Sequence, residues 1–217
     1  MVLRGLLIAL VAGTVAGLAV TAVQSLKLTS LIHEAETYEV AGVADHEQGD
    51  GSWAPADRVE RVGFTALANV LTGIGFAMLL VAGFILSGRE VTARNGLLWG
   101  LGGFAAFVLA PALQLAPELP GAASLDLSIR QAAWLGIAVA TAAGIALFVF
   151  SGRSWLRAIG IALVIAPQLV SLPAAEGSGL VPPELAAEFA VLSVAIGAFF
   201  WIILGGMAGY LYGRANA

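Results

Sequence analysis

Apolar runs of about 20 residues recur along this chain, each long enough to cross a bilayer core of roughly 30 Å. In lipid a backbone must satisfy its own hydrogen bonds, so spanning segments are helices or closed barrels. A barrel strand alternates apolar and polar residues, whereas the runs here are continuously apolar. The rest of the composition agrees. Of 217 residues, 59% are hydrophobic and only 11% charged, where a soluble domain is nearer a quarter charged. Mean hydropathy is +0.94. The fold class is all-α: a polytopic membrane protein, bundled from transmembrane helices.

Six spans are expected, at about residues 5–26, 63–86, 96–113, 132–150, 156–172 and 189–212, within a single integral membrane domain covering 1–217. Val20-Thr21-Ala22 is a tolerable signal-cleavage sequence. The apolar stretch before it is too long for a signal peptide, so the first span is expected to stay uncleaved. Placing both termini in the cytoplasm puts Arg4, Arg89, Arg94, Arg153, Arg157 and Arg214 inside, in short connections. Lys27, Arg58, Arg61 and Arg130 then fall outside, a modest positive-inside bias. Glu90 is the one acid inside, so the outer face is strongly negative and would concentrate cations. Ser87-Gly88-Arg89 and Ser151-Gly152-Arg153, with Ala110-Pro111 and Ala166-Pro167 further on, suggest that spans two–three and four–five are repeated hairpins.

Chemistry concentrates in the acidic outer loop, residues 27–62. It holds both histidines, His33 and His46, and eight of the fourteen acids. His33 and Glu36 are three apart and would share a helix face. With Glu34, Glu39 and His46 they form the candidate metal-binding set. Imidazole and carboxylate suit cobalt, nickel, zinc or iron, and without sulfur the set disfavours copper(I). The chain has no cysteine, so thiolate sites and disulfides are excluded. A net charge of −4 without a basic run gives no reason to expect a nucleic-acid partner. Trp53, beside Pro55, reads as an interface anchor.

Span interiors carry no ionisable residue, which argues against a buried-carboxylate proton relay or a voltage sensor. They do carry neutral polar groups toward the outer side. Gln24, Asn69, Thr72 and Gln168 are pore-lining candidates, and Gln114 and Gln131 sit at span edges. Pro111 and Pro167 each deprive a carbonyl four residues back of its amide partner. Freed carbonyls and amide oxygens are hard ligands fit for a hydrated cation. No GxSxG, HExxH or Walker A sequence is present, so no enzyme is expected and ATP hydrolysis is not expected of this chain.

Several stretches resemble the CbtA family of predicted cobalt transporter subunits: Glu34-Ala35-Glu36-Thr37-Tyr38-Glu39, Trp53-Ala54-Pro55-Ala56-Asp57, and Leu67 through Phe76. Gly96-Leu97-Leu98-Trp99-Gly100-Leu101, Leu109-Ala110-Pro111-Ala112-Leu113, Pro117-Glu118-Leu119-Pro120-Gly121, Arg130-Gln131 and Phe200-Trp201 continue the match in order. The resemblance implies uptake of a divalent transition metal, most simply cobalt as the transported ion rather than a cofactor. It also implies residence in the bacterial inner membrane and a small single-span partner, CbtB. Family members carry more histidines in the first outer loop, and a histidine after the proline of span five, where this chain has Gln168. The sparser imidazoles suit a second reading: a non-transporting structural or accessory subunit of a larger membrane complex, or of a homo-oligomer.

Overall fold

The computed structural model describes residues 2–43, 58–173 and 179–216. Six helices follow in order: α1 (Val2–Val43), α2 (Arg58–Ser87), α3 (Ala93–Ala112), α4 (Leu127–Phe150), α5 (Ser154–Leu169) and α6 (Pro183–Asn216). No strand occurs among the described residues. All but α5 are long and apolar enough to cross a membrane. α5 has 12 α-helical residues and a four-residue 3-10 end, reaching about 26 Å against a core of roughly 30 Å. It stops at Leu169, short of the expected 172, where Pro167 has no N–H to continue the ladder.

α1 differs most from expectation. It runs 42 residues, about 63 Å, so the helix continues well past residue 26 into the stretch read as loop. The reason is local. Residues 18–41 contain neither glycine nor proline, and Leu28, Leu31 and Ala35 form a buried stripe at helical spacing. Leu31 and Ala35 pack with Leu119 and Leu185, so the extension is held by the connection after α3 and the first turn of α6. The connections after α3 and before α6 are tied to each other by Leu180 N–H donating to the Gly121 carbonyl at 3.0 Å. Asp126 caps α4 by accepting from the amides of Ser128 and Ile129. This is the long-loop face of the bundle. On the opposite, short-loop face, Arg4 Nη1 donates to the Ala215 carbonyl at 3.2 Å, bringing the outer ends of α1 and α6 together.

Apolar burial does not drive helices together in lipid, so close van der Waals packing at small residues must. Three seams are built this way. A Cβ on Gly13 would lie 2.3 Å from Ile74 N, and one on Gly73 2.4 Å from Gly13 O, which joins α1 to α2. A Cβ on Gly96 would lie 2.3 Å from Gly205 O, and one on Gly100 2.3 Å from Trp201 O, which joins α3 to α6. Gly144 and Gly160 do the same for α4 and α5, at 2.5 and 2.6 Å from each other's carbonyl oxygens. α6 also lies along α1. Trp201, 2% exposed, fills the centre, its ring stacked on Phe107 at 5.7 Å.

The packing gives no support to a repeated hairpin. α4 and α5 are a tight pair, whereas the backbones of α2 and α3 stand apart, bridged by Trp99 against Gly83 and Phe84, because α3 is drawn to α6. α3 is also irregular. Its Ala105–Leu109 segment is a π-turn, placed before Pro111, which has no N–H to give the Phe107 carbonyl.

Gly96→Leu or Gly205→Leu is expected to destabilise the bundle by more than the roughly 1–3 kcal/mol of ordinary overpacking, since the clash is with backbone. Gly75→Leu and Gly136→Leu, where a Cβ meets nothing within 4 Å, should shift stability by about 0.5 kcal/mol or less. Thermal unfolding in detergent, followed by size-exclusion chromatography, separates the two groups.

Candidate functional site: a polar seam between α1 and α2

Toward the long-loop face, the contact between α1 and α2 becomes polar in two tiers. In the outer tier Glu36 takes a 2.6 Å hydrogen bond from Arg61 Nη1 on its Oε1. Its Oε2 lies 3.0 Å from His33 Nδ1. Arg61 thus fastens the start of α2 to the extension of α1. In the inner tier Asn69 Nδ2 donates to Gln24 Oε1 at 2.6 Å and to Thr21 Oγ1 at 3.0 Å. Thr21 Oγ1 in turn donates to the Gly17 carbonyl at 2.8 Å. Glu36 and Gln24 are 12 residues apart on one helix, so the tiers are about 18 Å apart in depth. Arg61, Thr65 and Asn69 recur every four residues on the α2 side, and Thr65 Oγ1 donates to the Arg61 carbonyl at 2.8 Å. Below Asn69 the seam closes: a Cβ on Gly17 would sit 2.6 Å from Val70 Cα, and Gly13 lies against Gly73.

The outer tier lies past the apolar part of α1 and is partly solvated. The Arg61 hydrogen bond holds the Glu36 carboxyl below its ordinary 4.5, against desolvation that raises it, with a further lowering from His33. A neutral His33 that donates Nδ1–H to Glu36 keeps its Nε2 lone pair free. In metal sites this is how a carboxylate orients a ligating imidazole.

A second polar contact lies on the same face, between α3 and α5. Gln114 Nε2 donates to the Pro167 carbonyl at 2.5 Å, and Gln168 Nε2 to the Ala110 carbonyl at 3.2 Å. Each proline-broken helix end is therefore closed by a glutamine from the other. Among the described residues Gln168 Oε1 is buried without a hydrogen-bond partner.

The family profile described as "Probable cobalt transporter subunit (CbtA)" matches residues 3–213. This chain belongs to the CbtA family. No curated protein and no solved structure matches it.

Membership places this chain among probable cobalt transporter subunits. His33 and Glu36 are joined, and Gln24 and Asn69 are joined. Glu34 is exposed on α1, one position round the helix from His33. The side chain of Glu39, all of His46 and Trp53 lie outside the described residues. Among the described residues no three histidine, aspartate or glutamate side chains converge as a metal-holding group. Thr72 is exposed, turned away from the Asn69 cluster. Gln168 lies in the α3–α5 contact, apart from the seam. Sequence reasoning passed over Thr21, Arg61 and Gln114 as site residues. The four-residue spacing of Arg61, Thr65 and Asn69 was a usable signal for Arg61.

Because the Glu36 carboxyl is held down by Arg61, its contribution to stability is fully present above 4.5 and is lost as pH falls through the lower folded value. Thermal stability of the metal-free protein should therefore decline on acidification in this window. Glu36→Gln should flatten that part of the profile, at a cost of about 1 kcal/mol or less for a partly exposed pair.

Proposed function

We propose that this CbtA chain is the subunit that captures cobalt at the outer face of a bacterial inner membrane and admits it to the bilayer. The long-loop face is then outward, and the start of α1 and the end of α6 are cytoplasmic. The observation that carries the reading is the two-tier polar seam between α1 and α2. Acids of the outer face gather the cation. His33 binds it through Nε2, with Glu36 as the orienting carboxylate rather than a competing ligand, since Arg61 already occupies one of its oxygens. Glu34 and Glu39 of the α1 extension complete the shell with His46 of the outer loop. The Gln24 and Asn69 amides receive the ion one tier deeper, and Gln168, apart from the seam in the α3–α5 contact, offers a further buried oxygen in the same half of the bundle.

The seam is closed below by Gly13, Gly17 and Gly73, so it is half of a path. The remaining half comes from helix movement or from a partner such as a single-span CbtB-like subunit. No ATPase is required. A divalent cation moving inward down 100 mV gains about 4.6 kcal/mol, which sustains a gradient of about 10³-fold. The same closure favours the second reading, a structural subunit whose seam polar groups serve only to bind α1 to α2.

Radiolabelled cobalt uptake into cells lacking other importers decides between them, with this chain alone and with its partner. His33→Ala and Asn69→Leu should each lower uptake at limiting cobalt. Glu36→Gln should weaken capture by about 10- to 100-fold, the usual effect of losing an orienting carboxylate. Wild-type uptake by all three variants, at equal membrane levels, would move the site away from the seam, and no uptake with the chain in any combination would leave the structural reading standing.

A further inference from the structure

A cavity of about 600 Å³ opens between α2, α3, α4 and α6 on the short-loop side of the bundle. It exists because α3 is held to α6 by their glycines, so α2 and α3 diverge and leave a wedge. Its walls are apolar, formed by Phe76, Trp99, Ile145 and Phe150, with Gly102 open beneath them. Polar residues line it at one end only: Arg89, Glu90 and Asn95, from the α2–α3 connection and the first turn of α3. Asn95 Nδ2 donates to the Glu90 carbonyl at 3.1 Å and fixes this connection. The Arg89 guanidinium lies 4.7 Å from the centre of the Phe150 ring. Neither Arg89 nor Glu90 is in an ion pair among the described residues. The mouth therefore presents one cation and one carboxylate, not spent on each other, beside an open apolar slot.

That arrangement has the polarity of an amphiphile. A purely apolar ligand would leave the charged mouth unused. A partner helix is too large: with a diameter of 10–12 Å, a 600 Å³ slot holds only about 8 Å of its length, roughly one and a half turns. We propose that the slot is a binding site for an aminophospholipid, phosphatidylethanolamine in chemical class. One acyl chain fills the cavity, the phosphodiester takes charge-assisted hydrogen bonds from Arg89, and the primary ammonium donates to Glu90. The site goes beyond the metal path, since it lies at the other face of the bundle and shares no residue with the α1–α2 seam. The lipid fills the wedge and so fastens the α4–α5 hairpin to the rest of the bundle.

Native mass spectrometry of the full chain in mild detergent tests this, with phosphatidylethanolamine, phosphatidylglycerol and phosphatidylcholine of identical chains added separately. Phosphatidylethanolamine should be retained several-fold over the other two. Arg89→Gln should lower retention of all three by about three- to ten-fold, the scale of one exposed charge-assisted hydrogen bond. Glu90→Gln should abolish the preference for phosphatidylethanolamine. Gly102→Leu, whose Cβ meets nothing nearer than Ile145 at 3.9 Å, should fill the slot and lower retention of every lipid. Arg157→Gln, on the same face but outside the slot, should change nothing. Equal retention of the three lipids by the wild type would overturn the proposal. So would retention unmoved by Arg89→Gln in protein with a normal elution profile, or loss of a co-purifying polypeptide in place of lipid.

Discussion

Backbone-to-backbone contact at glycine is the constraint on which the rest of this bundle depends. With lipid outside as apolar as any side chain, helices gain little by burying leucine, and they gain most where two backbones touch. Gly96 and Gly100 against Gly205 and Gly209 make α3 the neighbour of α6 rather than of α2. The consequence is structural on both sides of α3. Its inner side presents Gly103 to Trp201, whose ring would be 2.1 Å from an added Cβ, so the largest side chain can occupy the centre. Its other side is left parted from α2. At the α1–α2 seam the same kind of contact at Gly13, Gly17 and Gly73 fixes how far the polar groups above it can extend into the membrane.

Proline supplies the second constraint. A proline in a helix leaves a carbonyl that lipid cannot satisfy. Here the two proline-bearing ends lie together and exchange glutamine donors to last-turn carbonyls, Gln114 to that of Pro167 and Gln168 to that of Ala110, beside the Phe107 and Leu163 carbonyls that the prolines free. The π-turn ahead of Pro111 is the accompanying backbone adjustment. This reciprocal arrangement keeps the short α5 in place although its glycine seam is only with α4. It also concentrates backbone oxygen at one edge of the bundle, with Gln168 Oε1 still unspent.

Much of this was legible in the sequence. Continuous apolar runs gave six helices close to their observed positions, because in lipid the hydrogen-bonding rule leaves a run of that length no alternative. The pairing of Gln24 with Asn69 was implicit in two amides at similar depth on consecutive spans. Charge misled in one place. Lys27 and the acids after it suggested a loop, yet Leu28, Leu31 and Ala35 keep a helical stripe through them and residues 27–43 remain helical. Partner choice was illegible for a different reason. Glycines at four-residue spacing lie on several helices, and nothing local says which pair will meet. The hairpin repeat suggested by Ser-Gly-Arg failed on that point. Thr72 is one turn from Asn69 in sequence, but the seam is narrow and one turn carries it out to the exposed side.

The uninterrupted length of α1 has a mechanical consequence. From Gly13, where it bears on Gly73, to His33 is 20 residues of continuous helix, about 30 Å of stiff rod. A tilt of about 5° at the glycine bearing would swing the His33 end by roughly 3 Å. The bearing itself, where Gly13 meets Gly73 and the seam is shut, would hardly move. The far end of α1 is thus the sweeping arm of a rod pivoted at its glycines.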